Sequence, residues 1–151
     1  MLNIVLIEPE IPQNTGNIAR TCTAIGARLH ICKPIPFKIT EKAVKRAGLD
    51  YWQHLDLEVH ESQDEFLTKY KQEQLFFCST KADKLYSDVR YPDNAFLLFG
   101  PETRGLPESL IFGDKGTAIT IPMLPHIRSL NLSNAVAITA YEVIRQRGID
   151  K

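Results

Sequence analysis

The sequence lacks an excess of either charge, because 18 lysine and arginine residues are balanced by 18 aspartate and glutamate residues. Proteins that bind nucleic acid through its phosphates usually carry a basic excess, so any such surface in this chain must be local. One candidate is a short helix predicted after Thr40, which carries Lys42, Lys45 and Arg46. A solvated helix face explains the same residues equally well.

Cysteine is scarce and irregularly spaced. Cys22, Cys32 and Cys78 form no CxxC pair, which favours reduced thiols in a reducing compartment. The four histidines are dispersed, so the spacing predicts no metal site. No apolar run approaches the roughly 18 residues that span a bilayer, and no signal peptide begins the chain. We therefore expect a cytoplasmic protein without a membrane partner or a metal.

Short apolar runs alternate with helical patterns along the chain. Strands are predicted at Leu2–Ile7, Arg28–Cys32, Leu55–Val59, Leu75–Ser79, Ala95–Phe99 and Thr117–Ile121. Besides the helix after Thr40, helices are predicted at Asn17–Ile25, Ser62–Tyr70, Glu108–Phe112 and Leu132–Arg147. This alternation predicts one α/β domain, residues 1–151, with a mainly parallel sheet flanked by helices.

Three loops follow predicted strands and carry polar groups: Glu8–Gly16, Gly100–Pro107 and Pro122–Asn131. In parallel sheets ligands bind beyond the carboxyl ends of the strands, where such loops meet. The chain has neither GxxxxGK[ST] nor GxGxxG, which argues against nucleoside triphosphate hydrolysis and standard dinucleotide binding. The loops therefore predict a ligand site of another kind.

The first loop leads to Asn14 and Arg20. Asn14 is a suitable cap for the following helix. Arg20 stands among residues that look packed, Ile18 and Ala19, so its guanidinium needs a carboxylate, a phosphate or a ligand. A structural salt bridge and a ligand contact both satisfy that need. The acidic candidates are Glu8, Glu10 and Glu102.

The entrance of the last helix is unusually polar. Its polar residues are Arg128, Ser129, Asn131, Ser133 and Asn134, whereas a helix start normally needs one capping side chain. Beyond them, Ala137, Ile138 and Tyr141 make a second face of the helix partly apolar. Burial in the chain's own core and contact with a partner subunit both explain that second face.

Four segments carry a resemblance to a known class: Glu8–Arg20, Ala47–Tyr51, Leu98–Leu106, and Ile121–Met123 followed by Arg128–Val136. The chain resembles the SPOUT class of S-adenosylmethionine-dependent RNA methyltransferases. Within that class it is most similar to small single-domain enzymes that methylate the ribose 2′-hydroxyl of the wobble nucleotide, cytidine or uridine, of tRNA. An enzyme acting on ribosomal RNA or another tRNA position, and a non-catalytic RNA-binding module, are the alternatives.

The resemblance implies a C-terminal trefoil knot, a homodimer, S-adenosyl-L-methionine as cofactor and tRNA as substrate. It assigns the cofactor to Cys78, Gly100, Ile121, Ser129 and Leu130. It assigns substrate binding and catalysis to Asn14, Arg20, Glu102, Ser129 and Asn131. Arg20 is expected to bind the target phosphate and to assist removal of the 2′-hydroxyl proton.

Overall fold

The computed structural model describes residues 1–39 and 52–149, and six strands of that part form one parallel sheet. Its strands are β1 Asn3–Ile7, β2 Arg28–Cys32, β3 Leu57–His60, β4 Leu75–Cys78, β5 Phe96–Phe99 and β6 Thr117–Ile119. They lie in the order β3-β2-β1-β5-β4-β6. The runs are nearly continuously apolar because strands covered on both faces bury every side chain. The predicted α/β class is confirmed.

Four α-helices accompany the sheet in the described part of the chain. They are α1 Pro12–Ile25, α2 Gln63–Lys69, α3 Glu108–Ile111 and α4 Leu132–Arg147, and a 3₁₀ turn spans Trp52–His54. Ser62 caps α2, since its Oγ accepts the backbone N–H of Glu65 at 3.0 Å. None of the described helices is both long enough and apolar enough to cross a membrane. The predicted helix after Thr40 lies outside the described residues.

Helix α1 begins at Pro12, five residues before the predicted start at Asn17. Proline is well suited to the first helical position, where its missing N–H has no partner to lose. Asn14 consequently lies inside the first turn, and the N-cap residue is Ile11, whose side chain cannot cap. The prediction that Asn14 caps the helix is therefore wrong.

The helices cover opposite faces of the sheet. Residues of α1 and α4, including Ile18 and Val136, pack in one core cluster, and residues of α2 and α3, including Phe66 and Leu110, pack in the other. The neighbouring strands β1 and β5 thus lead to helices on different faces. Such a divergence opens a crevice at the carboxyl ends of the strands.

The sheet edges differ from the predicted bounds. Strand β3 is displaced toward His60, and β6 ends at Ile119 rather than Ile121. Thr120 leaves the sheet ladder because it pairs with the segment that follows β4. Its N–H donates to Lys84 O at 2.8 Å, and its carbonyl accepts from Tyr86 N at 2.9 Å.

The outer face of α4 is apolar and uncovered by the rest of the described chain. Ile138 is 37% exposed and Tyr141 is 51% exposed, while Val136, Ala140 and Val143 on the inner face are fully buried. Burial in the chain's own core therefore does not explain the second apolar face.

Candidate active site

A cavity of about 530 Å³ lies at the carboxyl ends of β4, β5 and β6. That volume is within the range of roughly 300–1,000 Å³ that small-molecule sites occupy. Its walls come from the three predicted loops and from the first turn of α4. All five residues assigned to the cofactor line it: Cys78, Gly100, Ile121, Ser129 and Leu130.

Cys78 ends β4 and forms part of the inner wall. Its thiol is directed toward Thr139, with Sγ 3.9 Å from Oγ1, and burial raises the pKa of this thiol to about 12. At neutral pH the side chain is therefore a neutral thiol that packs as a small apolar group. The geometry gives it a lining role and no nucleophilic one.

The loop between β5 and α3 folds back on itself where the cavity opens. A Cβ atom on Gly100 would lie 2.1 Å from the carbonyl carbon of Gly105, so only glycine permits this approach. Gly105 itself has φ +68° and donates its N–H to Pro101 O at 2.8 Å. This tight turn directs the side chains of residues 102–104 toward the first loop.

Glu102 holds the start of α1 from across the crevice. Its Oε1 accepts the N–H of Glu10 at 2.8 Å, and its Oε2 accepts the N–H of Ile11 at 2.7 Å and Asn14 Nδ2 at 3.2 Å. A carboxylate is favourable there because a helix start carries unpaired N–H groups and a partial positive charge. Glu102 thus anchors the two residues that precede α1.

A row of hydrogen bonds continues from Glu102 through Asn14 to Asn131, and we call these three residues the amide row. Asn131 Nδ2 donates to Asn14 Oδ1 at 3.1 Å, and Asn131 Oδ1 accepts the N–H of Ser133 at 2.9 Å. Because a carboxylate only accepts, Asn14 must donate to it, which fixes the orientation of both amides. The row joins all three predicted loops at the mouth of the cavity.

Arg20 lies elsewhere than the sequence indicated. Its side chain is exposed, and it shares one outer stripe of α1 with Gln13, Asn17 and Ala24. Within the described part of the chain the guanidinium has no hydrogen bond or ion pair, and it does not line the cavity. The interpretation of Arg20 as a packed residue is wrong, since Ile18 and Ala19 face the core on the other side of the helix.

The acidic groups considered as partners of Arg20 are engaged elsewhere. Glu8 Oε1 lies 3.5 Å from Arg104 Nη2, and Glu10 accepts the N–H of Thr103 at 2.9 Å. Glu102 belongs to the amide row. Among the described residues no salt bridge engages Arg20, and its guanidinium is exposed to solvent.

Several lining residues were not predicted. Ser79, Thr80 and Lys81 follow directly after β4 and reach the cavity, as do Thr103 and Arg104. The signal for the first three was available, because a polar triplet after a fully apolar strand is the pattern that identified the other loops. Lys81 Nζ is paired with Glu108 Oε1 at 2.6 Å, and Arg128 adds a further cation at the rim. Because Lys81 and Arg104 are ion-paired, Arg128 is the lining cation of the described chain that is available to an anionic ligand.

A second polar group lies away from the cavity, between β2, β3 and α2, and we call it the imidazole cluster: His30, Glu58 and His60. His30 Nδ1 and His60 Nε2 are 3.1 Å apart, and Glu58 oxygens lie 3.7 Å and 3.8 Å from them. The ring planes differ by 14° and the centroids are 5.3 Å apart. That separation is reached when the facing nitrogens lie between the ring centres, as in an N–H···N hydrogen bond.

The imidazole cluster is internally satisfied. His30 Nε2 lies 2.9 Å from Asn3 Oδ1, and Tyr70 OH donates to Glu58 Oε2 at 2.6 Å. Burial lowers the pKa of His30 to about 4 and lowers that of His60, so both rings are neutral at pH 7. The sequence interpretation of the histidines as dispersed is wrong for this pair, which the parallel register of β2 and β3 brings together.

The family comparison covers nearly the whole chain. Residues 1–141 match the SpoU rRNA Methylase family, and the chain belongs to this family. The predicted resemblance is thereby confirmed.

Two similar proteins share a name that is more specific than the family description. The tRNA (cytidine(34)-2'-O)-methyltransferase of Escherichia coli strain K12 is 48% identical over 149 residues, which are 98% of this chain and 95% of the relative. The enzyme of the same name from Saccharophagus degradans is 46% identical over 98% of this chain and 97% of its own length. The matches extend over nearly the whole chain and therefore include every loop of the cavity.

Two solved structures are similar to this chain over nearly its whole length. One, concerned with the 2-OH methylation of C/U34 on tRNA, superposes with a TM-score of 0.90 and 44% identity, covering 97% of this chain and 95% of its own. The SpoU methyltransferase AviRb from Streptomyces viridochromogenes, in complex with the cofactor AdoMet, gives a TM-score of 0.84 at 26% identity. It covers 97% of this chain and 60% of AviRb.

Proposed function

We propose that this protein transfers a methyl group from S-adenosyl-L-methionine to the ribose 2′-hydroxyl of the wobble nucleotide of tRNA, cytidine or uridine 34. The observation that carries the proposal is the coincidence of two features at one place. The cavity is lined by every residue assigned to the cofactor, and the amide row stands at its mouth. The relatives that bear this activity in their names match nearly the whole chain.

The cavity fits an adenosyl cofactor in chemistry. Apolar side chains such as Leu106, Ile119 and Ala135 offer a surface for a planar base, and the bare backbone at Gly100 leaves room for close approach. Loop segments outside regular structure, around Ile121 and Leu130, present backbone groups for polar contacts. When bound, the cofactor supplies an electrophilic methyl group on a sulfonium.

The chain's own residues prepare the hydroxyl for attack. Arg20, with no partner in the described chain, binds the phosphate next to the target ribose and stabilises negative charge that develops on the 2′-oxygen. Asn14 and Glu102 hold the loops in register rather than exchanging protons, because their polar atoms are already hydrogen-bonded to each other. Ser129 lies beside the cavity and orients the ribose, and Asn131 holds Asn14 and the start of α4 in place.

We further propose a homodimer that pairs through α4 and α1. The exposed Ile138 and Tyr141 supply its apolar centre. Helix α1 packs beside α4, and we infer that the outer stripe that carries Arg20 joins this face in the dimer. Arg20 then serves the cavity of the partner subunit, which accounts for its position outside the cavity of its own chain. Replacement Tyr141→Glu is expected to give monomers in analytical ultracentrifugation; an unchanged dimer would contradict this pairing.

The remaining proposals concern the domain, the knot, the location and the metal, and they rest on the resemblance to the family. We propose that residues 1–151 form one domain and that the segment after β6 is threaded into a trefoil knot. The pairing of Thr120 with residues 84–86 supports such threading, because it binds the end of β6 to the loop after β4. We place the protein in the cytoplasm because tRNA is its substrate, and we assign it no metal.

The function is tested by methyl transfer from labelled S-adenosyl-L-methionine to tRNA that lacks the modification, followed by mass-spectrometric mapping. The expected product is a 2′-O-methyl group on nucleotide 34. A methyl group at another position would keep the chemistry and overturn the substrate, and methylation of ribosomal RNA alone would do the same. Cofactor binding without transfer to any RNA would support a non-catalytic RNA-binding module instead.

A further inference from the structure

Two loop segments at the cavity mouth, residues 8–11 and 102–104, face each other in antiparallel order. Each contributes acidic side chains to the other, so the contacts are reciprocal. We call this arrangement the loop clasp. Its three pairs are Glu8 with Arg104, Glu10 with Thr103, and Ile11 with Glu102.

The central pair is the most fully bonded of the three. Glu10 Oε1 accepts the N–H of Thr103 at 2.9 Å and its hydroxyl at 2.8 Å, and Oε2 lies 3.1 Å from the same hydroxyl. These hydrogen bonds, the backbone one first, lower the pKa of the Glu10 carboxyl, so it is charged at neutral pH. Thr103 lines the cavity and Glu10 does not. Glu10 therefore acts on the cavity only through its neighbour.

The first pair is associated with an unusual backbone. Glu8 has φ +47°, a backbone conformation that residues other than glycine rarely adopt. It persists only where surrounding contacts determine it. The Glu8 N–H is fixed to Cys32 O at 2.9 Å, and its carboxylate is paired with Arg104. The turn after β1 is thus held in the one shape that brings Glu10 to Thr103.

We propose that Glu10 is a positioning residue for methyl transfer, an inference that rests on the proposed function. Through Thr103 it fixes the loop after β5, and that loop carries Glu102, which holds Asn14 and the start of α1. Glu8 and Glu10 both bind the loop after β5 with their carboxylates without lining the cavity, and Glu10 makes the shorter contacts. A displacement of about 1 Å in a catalytic site reduces turnover by on the order of 10²-fold. Removal of Glu10 is therefore expected to misalign the loop after β5 and the start of α1.

The test compares Glu10→Ala, Thr103→Val, the double variant and Thr103→Ser. We expect Glu10→Ala to lower kcat by roughly 10- to 100-fold while the Kd for S-adenosyl-L-methionine, measured by calorimetry, changes less than about threefold. The double variant should be no slower than Glu10→Ala alone, because both changes break one contact. Thr103→Ser should lose less kcat than Thr103→Val, since it retains both donors.

Glu73→Ala is the matched control. Glu73 accepts a hydrogen bond from Asn94 Nδ2 at 2.6 Å near the start of β4, at the opposite end of the strands from the cavity. It should leave kcat unchanged. Two results together would overturn the positioning role: Glu10→Ala loses kcat only in proportion to the protein that unfolds, and the effects of Glu10→Ala and Thr103→Val add independently in the double variant.

Two outcomes separate this inference from the proposed function. A wild-type protein that methylates tRNA beside a Glu10→Ala variant with kcat within twofold of it would overturn the positioning role alone. A wild-type protein that methylates no RNA would overturn both.

Discussion

The amide row and the imidazole cluster are both hydrogen-bonded polar groups, but only the amide row borders a cavity that a ligand can enter. In the imidazole cluster His30 and His60 are almost fully buried, and each bonded atom faces another atom of the chain. The amide row stands at the edge of a cavity, and its neighbours include an exposed hydroxyl and exposed cations. A closed network stabilises the fold, whereas an open one is available to a ligand.

Charge distribution supports the same distinction. In the imidazole cluster the negative charge of Glu58 is matched within the chain by Lys69 and Arg28. At the cavity rim Arg128 has no acidic partner among the described residues, and Arg20 has none on the outer stripe of α1. Unmatched positive charge beside a cavity is what an RNA phosphate requires. Position relative to the cavity, and not the number of polar groups, therefore separates function from stability.

The largest effect is expected at Arg20. Arg20→Ala should lower kcat/KM by about 10²- to 10³-fold, since it removes the cation at the developing charge. The melting temperature should stay unchanged because the side chain is exposed. Methyl-transfer kinetics and calorimetry measure the two quantities. Arg90→Ala, another exposed arginine, is the control, and near-normal turnover in Arg20→Ala would contradict the assignment.

Two variants of Asn131 separate the effects of its bond to Asn14 and its cap of α4. Asn131→Ala should lower kcat by roughly 10²-fold and destabilise the protein by about 1 kcal/mol, because it breaks the amide row and uncaps α4. Asn131→Ser should recover the stability, since serine also caps helices, but not the turnover. Recovery of both by serine would mean that the bond to Asn14 is dispensable. Urea unfolding and steady-state kinetics distinguish these results.

The imidazole cluster should act on stability alone and in a pH-dependent manner. The pKa of His30 is about 4 in the folded protein and 6.5 ordinarily, so the unfolded chain takes up the proton first. The free energy of unfolding should therefore fall as pH decreases from about 6.5 toward 4. The charged groups near the rings are Glu58, Glu65, Arg28, Asp56 and Lys69.

Urea unfolding across this pH range checks the prediction. His30→Gln should flatten the dependence and leave kcat per folded molecule unchanged, whereas His126→Gln, at an exposed loop position, should keep it. The same slope in wild type and His30→Gln would show that His30 is not the group responsible.

The smallest effect is expected at Cys78. Its thiol pKa of about 12 keeps it protonated, so iodoacetamide at pH 8 should alkylate it far more slowly than a free thiol. Cys78→Ala should change kcat by less than about threefold, since only a lining contact is lost. Mass spectrometry after a timed reaction reads the alkylation. Rapid modification would place the thiol in a different environment from the one described.

Local signals account for most of the fold that the sequence predicted. Helix α4 was predicted at its observed bounds, because an apolar period between Asn131 and Gly148 is bracketed by two capping residues. The start of α1 was missed since Pro12 and Gly16 resemble loop residues, although proline suits the first helical position.

The candidate site was predicted in position but not in its contacts. Polar groups after apolar strands located the cavity. The bond between Glu102 and Asn14 joins residues 88 apart, and the imidazole cluster depends on the register of β2 against β3. Neither is encoded by local spacing. Arg20 was misplaced for a related reason, since its exposure depends on which face of α1 meets the sheet.

The most direct measurement uses a tRNA whose nucleotide 34 carries 2′-deoxyribose, compared with the unmodified ribose substrate. We predict that the deoxy tRNA binds with similar affinity and accepts no methyl group, because the attacking oxygen is absent. Methyl transfer to the deoxy substrate at an unchanged rate would place the chemistry at another atom and contradict ribose 2′-O-methylation at this cavity.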